Sequence, residues 1–126
     1  MEFKKVIPLM KCRDMDESLD FYTRILDFEK DGRWPTTGSP SFSHLHREDI
    51  HIQLSTHSGD GVAGNVVTVV VDGIDRLFEK YVARGLETTK KIESPVHQGP
   101  IDQSWGWREF YVTDPSGNTL RFSQKL

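Results

Sequence analysis

Two stretches of the chain carry apolar residues at helical spacing. The first covers residues 15–26, and Asp14 followed by Glu17 three positions later is a capping-box arrangement that predicts where this helix begins. The second begins after Asp72, the predicted N-cap, and ends at Gly85, because glycine tolerates the backbone that stops a helix. Its predicted buried positions are Ile74, Leu77, Phe78, Tyr81 and Val82.

Other stretches alternate between apolar and polar residues, or are β-branched, and these predict strands. Segment 65–71 is apolar on both faces, which predicts a buried central strand. The predicted strands are 3–10, 28–33, 42–46, 50–55, 65–71, 86–91, 107–113 and 119–123. Loops rich in turn-forming residues are predicted over 34–40, 56–64, 93–104 and 114–118.

The elements repeat along the chain. Each half reads strand, capped helix and three further strands, which predicts an α+β fold of two βαβββ modules, about 1–60 and 61–126, in one domain spanning 1–126. We expect one helix to cover one face of each curved, mixed sheet and the other faces to enclose a cleft. Matching identities at an offset of 58 support the repeat, namely Asp14, Leu19 and Glu29 with Asp72, Leu77 and Glu87.

Composition excludes several classes of protein. The net charge of −3, with no basic run, argues against nucleic-acid binding. No stretch is long and apolar enough for a membrane span or a signal peptide, and Cys12 is the only cysteine. We therefore expect a soluble cytoplasmic protein without disulfides, in which Cys12 is a small buried hydrophobe.

The last hairpin carries several aromatic and charged side chains that could contact a ligand. Trp107, Glu109 and Tyr111 share one face of the strand 107–113, and Arg121 lies on the strand that returns. A cross-strand ion pair between Glu109 and Arg121 is the plainer expectation, although aromatic and charged side chains on one face also suit a ligand groove.

Three segments resemble the vicinal oxygen chelate superfamily, which contains glyoxalase I, extradiol dioxygenases and bleomycin-resistance proteins. The helix entry RDMDESLDFY at 13–22 and the hairpin REFYVTDPSGNTLRF at 108–122 are common to all its branches. The segment WGWREF at 105–110 is similar to bleomycin-resistance proteins in particular. By this resemblance the usual metal-ligand positions fall at Ile7, Val66 and Arg121, with a fourth near Gln53. Aliphatic side chains and a guanidinium do not bind cations, so we expect neither a metal at this position nor another cofactor.

The resemblance implies a metal-free protein that is not an enzyme. It would confer antibiotic resistance by sequestering a bleomycin-type glycopeptide, as a homodimer with binding crevices at the subunit interface. Bleomycin-type drugs are large and cationic with a flat heteroaromatic tail, so stacking surfaces and carboxylates are expected, with Asp31 a further acidic candidate. The candidate ligand-binding residues are Trp34, Phe42, Asp60, Asp102, Trp105, Trp107, Glu109, Tyr111 and Arg121.

Two alternatives stay open at this point. His44 and His46 share a face of one predicted strand and His51 lies on the next, so they could form a relocated metal site in a glyoxalase- or dioxygenase-like enzyme. The fold could also bind some other small molecule. For Trp105 and Trp107, burial in the core and exposure on a ligand wall remain equally open.

Overall fold

The computed structural model describes residues 1–126, which form two four-stranded sheets. The strands are β1 (Leu9–Lys11), β2 (Glu29–Trp34), β3 (Phe42–Arg47), β4 (Ile50–Ser55), β5 (Val66–Val70), β6 (Ile101–Asp102), β7 (Trp107–Thr113) and β8 (Thr119–Lys125). Sheet A has the order β1-β4-β3-β2 and sheet B the order β5-β8-β7-β6, so the two halves share one topology and the predicted repeat is confirmed. The strands pair antiparallel except for β1 with β4 and β5 with β8, which are parallel. No helix has the length and apolar composition needed to cross a membrane.

The first helix, α1 (Met15–Asp20), begins where the capping box predicts. The Asp14 carboxylate accepts a hydrogen bond from the backbone N–H of Glu17 at 2.9 Å. The helix continues as a π-helical turn over Phe21–Ile25. The prediction for this helix is confirmed.

The second helix, α2 (Ile74–Ala83), does not use its predicted cap. Its N-cap is Gly73, with φ 62°, and the backbone N–H of Ile74 donates instead to the side chain of Gln124, 2.8 Å away. The capping prediction for Asp72 is therefore wrong, because a distant side chain supplies the acceptor. Val82, predicted to be buried, is exposed.

Two strand predictions and one loop prediction also need correction. The first strand covers Leu9–Lys11 and not 3–10, since the preceding residues have no neighbouring strand in the chain and Pro8 has no N–H to donate. Segment 86–91 is not a strand. The predicted loop 93–104 contains a 3-10 turn, Pro95–His97, and the short strand β6.

Strand β5 differs most from expectation. It was predicted as a buried central strand, yet it is an edge strand that pairs only with β8. Val69 packs in the core, but Val66 and Val70 on the opposite face are 62% and 60% exposed. Its second apolar face is uncovered in a single chain.

One hydrophobic core joins the two halves. Leu45 and Ile52 of sheet A and Phe110 and Phe122 of sheet B belong to the same cluster as Tyr22 of the first helical segment. Both helices contribute to this cluster. Each sheet therefore has an inner face on this core and an outer face that points away from it.

The turn between β7 and β8 fixes the contact between the halves. Asp114 accepts hydrogen bonds from the hydroxyl of Tyr22 at 2.8 Å and from the side chain of Asn118 at 3.0 Å. Asn118 also donates to the carbonyl of Lys11 and accepts from the N–H groups of Gly64 and Asn65. The DPSGN turn thus links the two halves of the chain through hydrogen bonds, and its buried polar atoms have partners.

Candidate functional site

The outer face of sheet B carries a buried ion pair. Glu109 is only 2% exposed. Both its oxygens accept from Nη2 of Arg121, at 3.2 and 3.3 Å, and Ser123 donates its hydroxyl at 2.6 Å. The expected cross-strand pair is confirmed. Because these donors already surround the carboxylate, a molecule on this face would meet Arg121 before it met Glu109.

Tyr111 forms the second part of this face. The guanidinium carbon of Arg121 lies 4.9 Å from the centre of the Tyr111 ring, a cation–π contact. The ring of His97 meets Tyr111 edge-on at 5.9 Å. Burial, reinforced by the Glu109 carboxylate, raises the pKa of Tyr111, while burial and nearby Lys91 lower the pKa of His97. Both rings are therefore neutral near pH 7.

The two tryptophans differ in burial. Trp105 is 56% exposed and lies in the turn before β7, where Gly106 has φ 90°. Burial in the core is therefore excluded for Trp105. Trp107 is half-buried at the start of β7, on the same face as Glu109.

Asp102 lies apart from these residues. It pairs in register with Arg108, which alternates with Glu109 along β7 and so belongs to the inner side. Arg108 donates to Asp102 at 3.0 Å and to Asp75 of α2 at 2.8 Å. The carboxylate of Asp102 is exposed but already has a cationic partner.

The outer face of sheet A carries an aromatic pair. Trp34 and Phe42 are direct partners on β2 and β3, with ring centroids 6.3 Å apart and an angle of 30° between the planes. The indole of Trp34 lies over the backbone of Gly32, where a Cβ atom would be 2.4 Å from the ring. Since any side chain at position 32 would displace it, this glycine allows the tryptophan to lie flat while it stays 57% exposed.

Asp60 and Phe42 line the same open cavity of about 470 Å³, together with Pro40 and residues 57–59. The carboxylate of Asp60 accepts from the hydroxyl of Ser55 at 2.5 Å. This ties the otherwise exposed loop 56–64 to the end of β4. An aromatic ring and an acidic group thus adjoin one opening.

The candidate residues therefore fall into two groups. We call Trp34, Phe42 and Asp60 the A group, and Trp105, Trp107, Glu109, Tyr111 and Arg121 the B group. No hydrogen bond, ion pair or aromatic contact joins the two groups within one chain. The A group lies on sheet A and the loop that follows it, whereas the B group lies on sheet B and the turn before β7.

The usual metal position of the fold does not fit an ion. By the resemblance these positions are Ile7, Gln53, Val66 and Arg121, which lie before β1, on β4, on β5 and on β8. Ile7 and Val66 have no donor atom, and the guanidinium of Arg121 is held by Glu109. Only Gln53 offers an oxygen, which is too little for a divalent ion.

Histidines gather elsewhere on the outer face of sheet A. The ring atoms Nε2 of His44 and Nδ1 of His51 lie 3.0 Å apart, and Nδ1 of His46 lies 2.7 Å from Oδ1 of Asp31. The sequence indicates that the three histidines share a face, and the structure confirms this proximity. Asp31 lies beside them because the pairing of β2 with β3 is irregular between Lys30 and Gly32. The alternation of apolar and polar residues does not predict this irregularity.

Ser123 and His97 also belong to the outer face of sheet B, although sequence reasoning did not select them. Ser123 donates to Glu109, and His97 contacts Tyr111. The alternation of β8 places Ser123 on the same face as Arg121, which is a usable signal. His97 reaches the face from a loop, so no periodicity identifies it.

Comparisons with known proteins agree with this architecture. The family model described as glyoxalase superfamily protein matches residues 1–126. No curated protein matches the chain in sequence.

Solved structures of similar fold include two bleomycin-binding proteins and a bleomycin resistance determinant. A bleomycin-binding protein from the bleomycin-producing Streptomyces verticillus, complexed with copper(II)-bleomycin, is 26% identical with a TM-score of 0.73, covering 100% of this chain and 99% of that one. A bleomycin-binding protein complexed with bleomycin is 21% identical, with a TM-score of 0.73 and coverage of 98% and 100%. The bleomycin resistance determinant encoded on transposon Tn5 is 21% identical, with a TM-score of 0.74 and coverage of 98% of both chains.

Proposed function

Because the chain belongs to the glyoxalase superfamily, we propose that it is a small-molecule binding protein that sequesters a bleomycin-type glycopeptide antibiotic and performs no chemistry on it. The observation that carries the proposal is the ion pair between Arg121 and Glu109. By the resemblance, Arg121 stands at one of the positions where enzymes of this fold bind a metal, and its guanidinium is held there by the Glu109 carboxylate. A guanidinium offers no lone pair to a metal ion, which supports binding without metal-dependent chemistry.

Exposed aromatic surfaces support the same proposal. Trp34 and Trp105 each keep more than half of their surface open to solvent, which is unusual for so large an apolar side chain. A flat heteroaromatic group stacks on such rings, and a cationic group is attracted to their faces. The Streptomyces verticillus protein of similar fold was solved with copper(II)-bleomycin, which supports a ligand of that class for this chain.

Exposed carboxylates would meet the cationic part of the ligand. Asp60 adjoins the cavity beside Phe42 and has only a neutral hydroxyl partner, so its charge stays available. Glu109 is buried and Asp102 is paired with Arg108, so both are weaker candidates for direct contact. We assign the main acidic role to Asp60.

We also propose a homodimer in which the A group of one chain faces the B group of its partner. Each chain exposes Val66 and Val70 on the edge strand β5 and Phe3 and Val6 in the segment before β1. Apolar surface of this kind favours association. Such a dimer would have two equivalent crevices.

The buried, unpaired thiol of Cys12 is compatible with a reducing compartment such as the cytoplasm.

Calorimetric titration of the chelator-treated protein with metal-free and copper(II)-loaded bleomycin tests this function. We expect saturable binding of one drug molecule per chain. Ile92→Ala, which removes an exposed apolar side chain outside both groups, should leave the affinity unchanged. Absence of saturable heat at micromolar protein with both forms of the drug would overturn the proposal.

A further inference from the structure

We propose that Asp31, His44 and His51 form a binding site for one divalent transition-metal ion on the outer face of sheet A. The three residues come from the neighbouring strands β2, β3 and β4. One ligand atom of each lies within 4.8 Å of the other two. The site does not depend on the proposed drug binding, and nothing in that proposal requires it.

The spacing of the two imidazoles fits a shared ion. Nε2 of His44 and Nδ1 of His51 are 3.0 Å apart. Two nitrogens bound to one ion at about 2.0–2.1 Å lie roughly 3.0 to 3.4 Å apart, depending on whether the geometry is octahedral or tetrahedral. In the absence of an ion the two nitrogens share one proton as a hydrogen bond. An ion would replace that proton, and the carboxylate of Asp31, whose ligand atom lies within 4.8 Å of both nitrogens, would move toward it to complete the set.

Neighbouring side chains fix the ligands. His46 contacts Asp31 through its Nδ1 atom, 2.7 Å from Oδ1, and so orients the carboxylate. The amide nitrogen Nε2 of Gln53 lies 3.4 Å from Nδ1 of His44. Rotation of this amide by 180° would place its oxygen there to accept the Nδ1 proton, so that Nε2 of His44 keeps its lone pair for the ion, which is the outer-shell arrangement usual for metal-bound histidine.

The donor set selects the class of ion. Two imidazoles and one carboxylate suit Zn²⁺, Co²⁺, Ni²⁺ or Cu²⁺, whereas Mg²⁺ and Ca²⁺ prefer oxygen ligands. Three protein ligands leave further positions for water or for a donor atom of a bound molecule. Phe42 is two residues before His44 on the same face of β3, so those open positions adjoin the aromatic pair of Trp34 and Phe42.

The site is displaced from the position that the fold uses for its metal. The matched position on β4 is Gln53, whereas His51 lies two residues earlier and the other two ligands come from β2 and β3. None of the residues at the other matched positions, Ile7, Val66 and Arg121, takes part. An ion here would therefore be held by one module alone.

Titration of the protein with Co²⁺ and with Zn²⁺, without any drug, tests the site. We expect one equivalent of either ion to bind, with visible absorption bands on Co²⁺ addition. His44→Ala and His51→Ala should each lower the affinity by more than about 100-fold, because losing an outer-shell partner already lowers it about 10- to 100-fold. His46→Ala, an outer-shell change, should fall in that smaller range. Circular dichroism establishes that each variant is folded. Asp31→Asn gives a third test, in which the size of the ligand side chain is kept and its charge is removed.

His57→Ala and His97→Ala are matched controls, since these two remaining histidines lie outside the cluster. The proposal is overturned if the unmodified protein binds less than one equivalent at micromolar concentration. It is also overturned if His44→Ala and His51→Ala bind as well as the two controls. Because only the metal is added, neither result depends on whether the protein binds bleomycin.

Discussion

Arg121 and Glu109 form a diagonal ion pair across the β7–β8 hairpin, with Nη2 3.2 Å from one carboxylate oxygen and 3.3 Å from the other. The carboxylate is buried, whereas the side chain of Arg121 is 31% exposed. Arg121 thus neutralises a charge that could not otherwise remain inside the sheet surface.

Arg121→Ala should destabilise the protein by about 3 kcal/mol, because it leaves the Glu109 carboxylate buried with only hydroxyl donors. Urea denaturation measures the change in the free energy of unfolding. Arg13→Ala is the control, since it breaks an exposed pair with Glu17 and should cost less than about 1 kcal/mol. Equal losses in the free energy of unfolding for the two variants would show that the buried pair contributes no more to stability than the exposed pair.

Asp114→Ala should destabilise the protein by at least about 3 kcal/mol. It removes the acceptor of Tyr22 and of Asn118, both buried, and leaves those donors without a partner. Tyr22→Phe removes only one of these hydrogen bonds and should cost about 1 kcal/mol. Thermal unfolding of both variants tests this ranking. A smaller loss of stability for Asp114→Ala than for Tyr22→Phe would contradict the role of the DPSGN turn as the link between the two halves.

Alkaline pH should unfold the protein as its tyrosines ionise. Burial raises the pKa of Tyr81 to about 12 and that of Tyr22 well above its usual value, whereas an unfolded chain ionises near about 10. Above pH ~10 the unfolded state therefore loses protons that the folded state keeps, so stability is full below that pH and is lost as pH rises toward 12.

Absorbance of tyrosinate during a pH titration measures this. Tyr22 and Tyr81 should ionise well above pH ~10, together with unfolding, and Tyr81→Phe should reduce the pH dependence of stability. Ionisation of all three near pH ~10 in the folded protein would contradict the burial of Tyr22 and Tyr81.

The sequence predicts the repeat, the first helix and the last hairpin because each depends on local signals: the capping box at Asp14, the alternation of β7 and the DPSGN turn. It fails where a partner is distant. Gln124 replaces Asp72 as the acceptor at the start of α2, and the edge position of β5 depends on sheet order.

The candidate site shows the same division. Alternation indicates which residues share a face, but the burial of Glu109, the pairing of Asp102 with Arg108 and the place of Asp31 beside the histidines depend on register and on contacts between strands.

Trp105→Ala should weaken bleomycin binding at least about tenfold, as loss of an aromatic anchor does. The free energy of unfolding should change by less than about 0.5 kcal/mol, because the side chain is exposed. Calorimetric titration and urea denaturation of the same preparation separate the two effects. A large loss of stability with unchanged affinity would contradict a ligand-binding role.

Mixing Trp34→Ala with Trp105→Ala protein tests the composite crevice. If each crevice combines the A group of one chain with the B group of the other, a mixed dimer contains one crevice with both substitutions and one with neither. After subunit exchange, tight binding should return at about one site per mixed dimer, although each variant alone binds weakly. No recovery in a verified mixed dimer would show that the two tryptophans act within one chain.

The central claim is binding without chemistry, and the mass of the recovered ligand tests it most directly. Bleomycin incubated with excess protein should be held back in equilibrium dialysis and, after the protein is denatured, should return at its original mass and in full amount. A drug that returns with a changed mass would contradict sequestration, and one that dialyses freely would contradict binding.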